Sequence, residues 1–174
     1  IGNAAALDQT VDDGIAPTFV SAQTTSLTNI RLTFSEQITV TTAGGGDFSS
    51  SGGDFTVTGA VVFGTNQVDL TVNTLSGTDF TSTDLDIAVD AVKDVGGLTN
   101  GIAAIADRTV ADGVAPTVVS AVTKDNTPDG YIDQIVITFS EDIAAGSIDV
   151  DGGSDDFSVA GYTISSAAVS AANE

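Results

Sequence analysis

Three aspartates are spaced along one short loop, "KDNTPDGYID" (residues 124–133), in a pattern that suits a cation. Carboxylate and carbonyl oxygens are the ligands that hard cations such as Ca²⁺ prefer, and Ca²⁺ takes roughly six to eight of them. The loop partly follows the calcium-binding template D-x-[DN]-x-[DN]-G, in which Gly130 permits the sharp turn. The donors that this template predicts are Asp125, Thr127, Asp129, the backbone carbonyl of Tyr131, and Asp133, with Glu141 at the end of the next strand as a further candidate.

A tight acidic turn is the alternative interpretation of this loop. The last ligand position of the template falls on Val136, where a calcium loop of the EF-hand kind has a bidentate glutamate. Pro128 also disfavours helical dihedral angles at the residue before it. A Pro-Asp-Gly turn between two strands requires no metal, but it does not account for three aspartates at this spacing. Calcium is therefore the candidate cofactor, and the metal-free turn is the alternative.

The composition of the chain is strongly acidic. Its 174 residues include 24 acidic side chains, of which 21 are aspartate, against 4 Lys and Arg, for a formal net charge of -20 at pH 7. Phosphate binding requires clustered basic side chains, so this balance argues against nucleic acid and anionic membranes as direct partners. It favours divalent cations as ligands. The hydrophobic fraction of 41% nevertheless predicts a buried core.

Several kinds of chemistry lack the residues they need. The chain contains neither Cys nor His, which excludes disulfides, thiolate metal sites and triads built on imidazole. Carboxylate pairs remain available, but both motif glutamates, Glu36 and Glu141, stand at equivalent ends of repeated strands. That placement indicates structure rather than catalysis, so we do not expect an enzyme. No run of about 18 apolar residues predicts a membrane span, and direct membrane insertion is not expected.

An internal repeat organises the sequence. "GNAAALDQTVDDGIAPTFVSA" (residues 2–22) returns as "GIAAIADRTVADGVAPTVVSA" (residues 101–121), a shift of 99 residues. "LTFSEQI" (residues 32–38) returns as "ITFSEDI" (residues 137–143), a shift of 105 residues. The extra residues fall around 126–131, so the acidic loop is an insertion in the second copy.

The repeat predicts the domain boundaries. Residues 1–12 match the end of a repeat and are expected to be the closing strand of a preceding repeat or a linker. Residues 13–111 form one full repeat, and residues 112–174 form a second that is truncated. We therefore expect a segment of a tandem array.

The local pattern is that of short strands. Alternating β-branched and apolar residues, interrupted by Gly, Asp and Asn, favour strands over helices. About seven short strands in one repeat are typical of an antiparallel β-sandwich of immunoglobulin type. Phe34, Phe55 and Phe139 are the expected core anchors. The predicted strands are residues 17–23, 29–35, 54–59, 60–64, 67–73, 85–91 and 101–110.

Four motifs resemble bacterial Ig-like domains of S-layer proteins, adhesins and other large surface proteins. They are "DGVAPTVVSA", the strand end "IVITFSEDI" and "DFSVAG" in the second copy, and the turn "VDAVKDVGGLTNG" in the first copy. The resemblance implies an all-β fold of tandem immunoglobulin-like sandwiches and an extracellular location at the cell surface. It implies a structural role in an S-layer, filament or long adhesin, with copies of itself or neighbouring Ig-like domains as partners. An accessory module that binds carbohydrate or host protein is the alternative.

A second candidate for cation binding is the repeat junction. Its acidic residues are Asp12, Asp13 and Asp94 in one setting and Asp107 and Asp112 in the other, with Glu36 and Glu141 expected to approach the same places. Carboxylates crowded at a linker repel one another unless a cation bridges them. A bridged linker would be stiff, and a solvated charged linker is the alternative interpretation, which the sequence alone favours.

Overall fold

The protein is described here by a computed structural model that covers residues 13–41, 46–96, 99–144, 148–149 and 156–169. The chain divides into two compact units. The first unit contains residues 1–76 and 80–114, and the second contains residues 77–79 and 115–174. The predicted strand over residues 1–12 lies outside the described residues.

The described residues fold into strands, turns and loops, without an α-helix, as the sequence predicts. The described strands of the first unit are β1 (Phe19–Ser26), β2 (Asn29–Phe34), β3 (Ile38–Val40), β4 (Phe48–Ser50), β5 (Val57–Phe63), β6 (Gln67–Val72), β7 (Ser82–Ile87), β8 (Val92–Asp94) and β9 (Ile105–Ala111). Seven of them form the main sheet, in the order β4-β7-β9-β1-β2-β6-β5. A separate two-stranded sheet pairs β3 with β8.

The central strands follow the alternation seen in the sequence. In β2 the side chains of Ile30, Leu32 and Phe34 are buried, and those between them are partly exposed. In β6 the same alternation buries Val68 and Leu70. Successive side chains of a strand point to opposite faces, so this period fixes which face of the sheet lies on the core.

The main sheet is mixed rather than purely antiparallel, which corrects one expectation. Strand β9 pairs with β7 in antiparallel fashion, but it runs parallel to β1, with Ala22 opposite Val110 and Gln23 opposite Ala111. One edge of β1 is filled by β2, and the last strand of the unit fills the other edge. The direction of β9 depends on how the chain crosses to this edge from β8. The alternation of residues within a strand carries no information about that path.

Three short strands were not predicted. Strand β4 lies in a Gly-rich stretch outside the predicted strands, and β3, β4 and β8 span three residues each. The two predicted strands over residues 54–59 and 60–64 form the single strand β5. Three residues are too few to show a period, so such strands are found through their partners rather than through their own sequence.

The core of the first unit is a single cluster of buried apolar residues. Phe34 and Phe55 belong to it, as predicted, together with Phe48 and Phe80, which were not singled out. The rings of Phe55 and Phe80 meet edge to face, with centroids 6.3 Å apart. Burial of one such aromatic side chain stabilises a fold by about 2–3 kcal/mol.

The second unit contains a hairpin of strands β10 (Val118–Lys124) and β11 (Gln134–Phe139). Phe139 is half-buried, and its ring meets the ring of Phe157 edge to face with centroids 6.4 Å apart. It is therefore less buried than the sequence predicts for a core anchor. The reason is that β10 and β11 form a two-stranded sheet with no third strand beside them among the described residues. A two-stranded ribbon covers little apolar surface by itself.

Candidate functional site

The predicted calcium loop lies at the tip of the β10–β11 hairpin and is closed by its own carboxylates. One oxygen of Asp133, Oδ2, accepts hydrogen bonds from the backbone N–H groups of Asn126 and Thr127 and from the Thr127 hydroxyl, each at 2.9 Å. Asp125 accepts a hydrogen bond from the N–H of Gly130 at 3.0 Å, and Asp129 accepts one from the N–H of Tyr131 at 2.9 Å. These bonds describe an acidic turn whose carboxylates cap backbone donors.

The hydrogen bonds from Thr127 hold the pKa of Asp133 below its ordinary value. Among the described residues, Asp125, Asp129 and Asp133 do not form a group of carboxylates close enough to share an ion. Glu141 lies beyond the opposite end of β11, a strand of six residues, and is therefore roughly 20 Å from the loop. The structure thus separates Glu141 from the other predicted ligands.

The residues of the first repeat junction do come together. Asp13, Glu36 and Asp94 each offer a carboxylate oxygen, and these oxygens lie within 4.8 Å of one another. We call these three residues the acidic triad. Asp13 precedes β1, Glu36 lies between β2 and β3, and Asp94 is the last residue of β8. Pairing of β3 with β8 places Ile38 opposite Asp94. It therefore brings Glu36, two residues before Ile38, close to Asp94.

Asp94 is the buried member of the triad. Only 2% of its surface is exposed, whereas Glu36 is partly exposed and Asp13 is exposed. Its Oδ2 atom accepts a hydrogen bond from Nδ2 of Asn100 at 2.9 Å. Its Oδ1 atom is fully buried and has no hydrogen-bond partner among the described residues. A buried carboxylate oxygen without a partner is costly, because the charge has left water and gained nothing in return.

The leading segment, residues 13–18, is fastened to the unit on both sides of the triad. Nδ2 of Asn100 also donates to the backbone carbonyl of Asp13 at 3.1 Å. At the other end of the segment, the N–H of Thr18 donates to the Ser35 hydroxyl, and the N–H of Ser35 donates to the Thr18 carbonyl, both at 3.0 Å. These contacts fix the position of the Asp13 backbone relative to β8.

The charges of the triad are not neutralised by a described basic side chain. Burial, and then the charges of Asp13 and Asp94, raise the pKa of Glu36 above its ordinary value. The ion pair found among the described residues is Arg31 with Asp69, which belongs to a different part of the sheet. Lys93 precedes Asp94 in β8, and alternation along a strand directs their side chains to opposite faces.

The remaining junction residues have other surroundings. Asp107 lies beside β7, where its N–H donates to Oδ1 of Asp86 at 3.0 Å. Asp112 accepts a hydrogen bond from the Thr24 hydroxyl at 3.1 Å. Glu141 is buried, and one of its carboxylate oxygens lies within 4.8 Å of one of Asp79. Asp12 lies outside the described residues.

Two residues of this region escaped sequence reasoning. Asn100 follows a Gly-rich turn, and its amide is recognised as a bridge between Asp13 and Asp94 only when the turn is folded. Thr24 is fully buried in a strand whose other residues, apart from Ala22, are exposed or partly exposed, and its partner Asp112 is 88 residues away. The repeat gave a signal for neither of them, because their partners belong to distant segments.

Comparisons with protein-family models, with curated proteins and with solved structures give no match for this chain. Among the described residues there is no helix with the length and apolar character needed to cross a membrane.

Proposed function

We propose that this protein is a structural building block of a cell-surface assembly, in which all-β repeats of immunoglobulin-like type follow one another along the chain. Such an assembly would be an S-layer, a filament or a long adhesin, with other copies of the chain or neighbouring repeats as partners. The role is mechanical: each repeat is a folded bead, and the segments between repeats set the stiffness of the array.

The observation that carries this proposal is a hairpin built twice to the same plan. In the first unit Phe19 faces Phe34, and in the second Val118 faces Phe139. Both hairpins have an irregularity directly after that pair and then continue in antiparallel register, with a second irregularity in the first hairpin between Thr24 and Ser26. The shifts of 99 and 105 residues relate the members of these pairs, so the sequence repeat is also a repeat of strand register.

The segment that leads into each hairpin repeats as well. Thr18 and Ser35 exchange backbone and hydroxyl hydrogen bonds in the first unit, and Thr117 and Ser140 make the same two bonds in the second, each at 2.9–3.0 Å. An aspartate also closes a turn before each of these hydrogen-bonded pairs. Asp13 accepts a hydrogen bond from the N–H of Ile15, and Asp112 accepts one from the N–H of Val114, both at 3.0 Å. A lead-in segment that is repeated in this way suits a chain of similar folded repeats.

The pairing of the first and last described strands of the first unit suits a load-bearing role. Strand β1 and strand β9 are adjacent and parallel. A force applied through the start of β1 and the end of β9 acts along the strands, so it shears their hydrogen bonds together rather than opening them one at a time. Resistance to such a force depends on the bonds at this contact, including those of Thr24.

The location is tested by labelling cells of the source organism with antibodies raised against the purified chain. We expect labelling of intact cells and loss of the antigen after brief treatment of intact cells with protease. Labelling that requires lysis of the cells would contradict a surface role. A cytoplasmic marker protein that stays protected in the same sample serves as the control.

The mechanical role is tested by pulling single molecules of the chain between its ends. We expect the first unit to unfold in one step at high force, and Thr24→Val to lower that force. The matched control is Thr123→Val, because Thr123 is the equivalent residue of the second copy and is exposed. An unfolding force that does not change with Thr24→Val would count against the load-bearing contact.

A further inference from the structure

We propose that the acidic triad of Asp13, Glu36 and Asp94 binds a hard divalent cation, with Ca²⁺ as the best fit, and that the cation fastens the leading segment to the first unit. This site is distinct from the hairpin loop that the calcium template points to, and it does not depend on the proposed surface role.

The spacing of the triad fits a shared ion. Ca²⁺ binds oxygen at about 2.3–2.6 Å, so two oxygens on opposite sides of one ion are roughly 4.6–5.2 Å apart. The oxygens of Asp13, Glu36 and Asp94 lie within 4.8 Å of one another, which places all three within reach of one ion. Three carboxylates supply three to six oxygens, according to whether each binds with one atom or two, and water completes the shell.

The buried oxygen of Asp94 is the independent sign of a ligand. Hydrogen bonding accounts for Oδ2, which Asn100 holds in place, but among the described residues it leaves Oδ1 without a donor. The unmet acceptor belongs to a side chain that is 98% buried, since only 2% is exposed, and that contributes to the triad. A bound cation would satisfy this oxygen and neutralise the charge at the same time.

The chemistry of the donors selects the kind of ion. With three carboxylates and no sulfur or imidazole, the site suits a hard cation and not a soft one. The ligands come from three separate segments of the chain, an arrangement that favours the irregular shell of Ca²⁺ over the strict octahedron of Mg²⁺. The side-chain amide of Asn100 donates hydrogen bonds to Asp94 and to the backbone carbonyl of Asp13, so Asn100 serves as a positioning residue.

Binding would couple the leading segment to the fold. Asp13 lies in that segment, whereas Glu36 and Asp94 lie in the body of the unit. Without a cation the three negative charges repel one another and push Asp13 away. With a cation they attract, so the same residues change from a destabilising to a stabilising contact. The cation thereby controls how firmly residues 13–18 are held.

The test compares melting temperature and calorimetric titration of the full chain with CaCl₂ and with EDTA. For the unaltered chain we expect Ca²⁺ to raise the melting temperature, because a ligand that binds the native state stabilises it. Asp94→Asn and Glu36→Gln should each lose most of this rise and weaken one class of Ca²⁺ site by at least about tenfold, since affinity follows the number of charged ligands. Asp94→Asn removes a repelling charge, so in EDTA its melting temperature should equal or exceed that of the unaltered chain.

Two control variants separate the site from other effects. Asp84→Asn makes the same change in net charge in another acidic region of the first unit, and it should keep the full response to Ca²⁺. Asp129→Asn removes a predicted ligand of the hairpin loop and should also keep the stabilisation attributed to the triad. If Asp84→Asn loses as much as Asp94→Asn, or if NaCl at equal ionic strength gives the same rise, general screening explains the data and the proposal is wrong.

Other outcomes also decide the matter. Loss of the response in Asp129→Asn alone would assign the ion to the loop and overturn the triad. An unchanged response in both Asp94→Asn and Glu36→Gln would show that the triad is only a cluster of acids. Should Asp94→Asn fail to fold, Glu36→Gln, which alters a partly exposed side chain in a loop, gives the decisive measurement. Replacing Ca²⁺ by Mg²⁺ should give a smaller rise, and an equal rise would overturn the preference for Ca²⁺.

Discussion

The hydroxyl of Thr24, buried in the middle of β1, donates a hydrogen bond of 3.1 Å to the carboxylate of Asp112, which follows β9. The same hydroxyl accepts a hydrogen bond of 2.9 Å from the N–H of Gly113. One side chain of the first strand therefore holds the segment that leaves the last strand of the unit. The parallel pairing of β1 with β9 ends beside this contact.

Substitution of Thr24 by Val should lower the free energy of unfolding by about 1–3 kcal/mol. Valine keeps the shape of threonine, but the hydrogen bonds to Asp112 and Gly113 are lost and leave partly buried polar groups unsatisfied. Urea unfolding followed by circular dichroism measures the change. Thr123→Val is the control in the second copy, where the side chain is exposed, and its effect should stay within about 0.5 kcal/mol. Equal losses in the two variants would contradict the role of the hydroxyl.

The glycine that follows each junction aspartate offers a second matched pair. A Cβ added at Gly113 would lie 2.4 Å from the backbone carbonyl oxygen of Thr24, whereas a Cβ at Gly14 meets no atom within 4 Å. Because a backbone atom cannot move aside cheaply, Gly113→Ala should destabilise the first unit by about 1–3 kcal/mol. Gly14→Ala, at the equivalent position of the first copy, should be tolerated. Thermal melting of the two variants side by side checks this, and a reversed order would show that the junction is built differently.

The parts of the fold that the sequence predicts are those governed by local alternation. Strands β2 and β6 have a clear period of two, and their predicted limits differ from the observed ones by one residue. Strands β3, β4 and β8 have three residues each and carry no period of their own. The parallel pairing of β1 with β9 depends on the path of the chain between them, which no local pattern records.

The candidate site shows the same division. The repeat places Asp13 and Glu36 at equivalent positions of each copy, so their approach to Asp94 could be expected from sequence. Burial of Asp94 and its bridge to Asn100 depend on how β8 and the following turn fold, and a pattern of residue types does not show them. The hairpin loop has the clearer motif, yet its described carboxylates bond to the loop's own backbone.

A cross-strand ion pair joins β2 to β6. The guanidinium of Arg31 makes two hydrogen bonds to the carboxylate of Asp69, at 2.7 and 2.8 Å, and lies 3.6 Å from the centre of the Phe63 ring. We expect Arg31→Lys to lower the free energy of unfolding by about 1 kcal/mol, because lysine keeps the charge but loses the paired geometry and the stacking. A double-mutant cycle with Arg31→Ala and Asp69→Ala should give a coupling of about 0.5–1 kcal/mol that decreases in high salt. A coupling of zero would show that the ion pair does not contribute to the stability of the fold.

A different acidic region makes stability depend on pH. Burial, followed by the charge of Asp54 and then that of Asp107, raises the pKa of Asp84 above its ordinary value. A group whose pKa is raised by folding favours the folded state at pH values below its unfolded pKa, and that contribution is lost as the pH rises through the folded pKa.

At pH 7 Asp84 is therefore charged and unfavourable, so Asp84→Asn should melt at a higher temperature than the unaltered chain. The advantage should shrink as the pH falls through the folded pKa and vanish below the ordinary pKa of an aspartate, about 3.9. Asp142→Asn, an exposed residue with the same change in charge, is the control and should show a smaller rise at pH 7. If the two variants gain equally at pH 7, relief of the overall negative charge, and not the surroundings of Asp84, explains the effect.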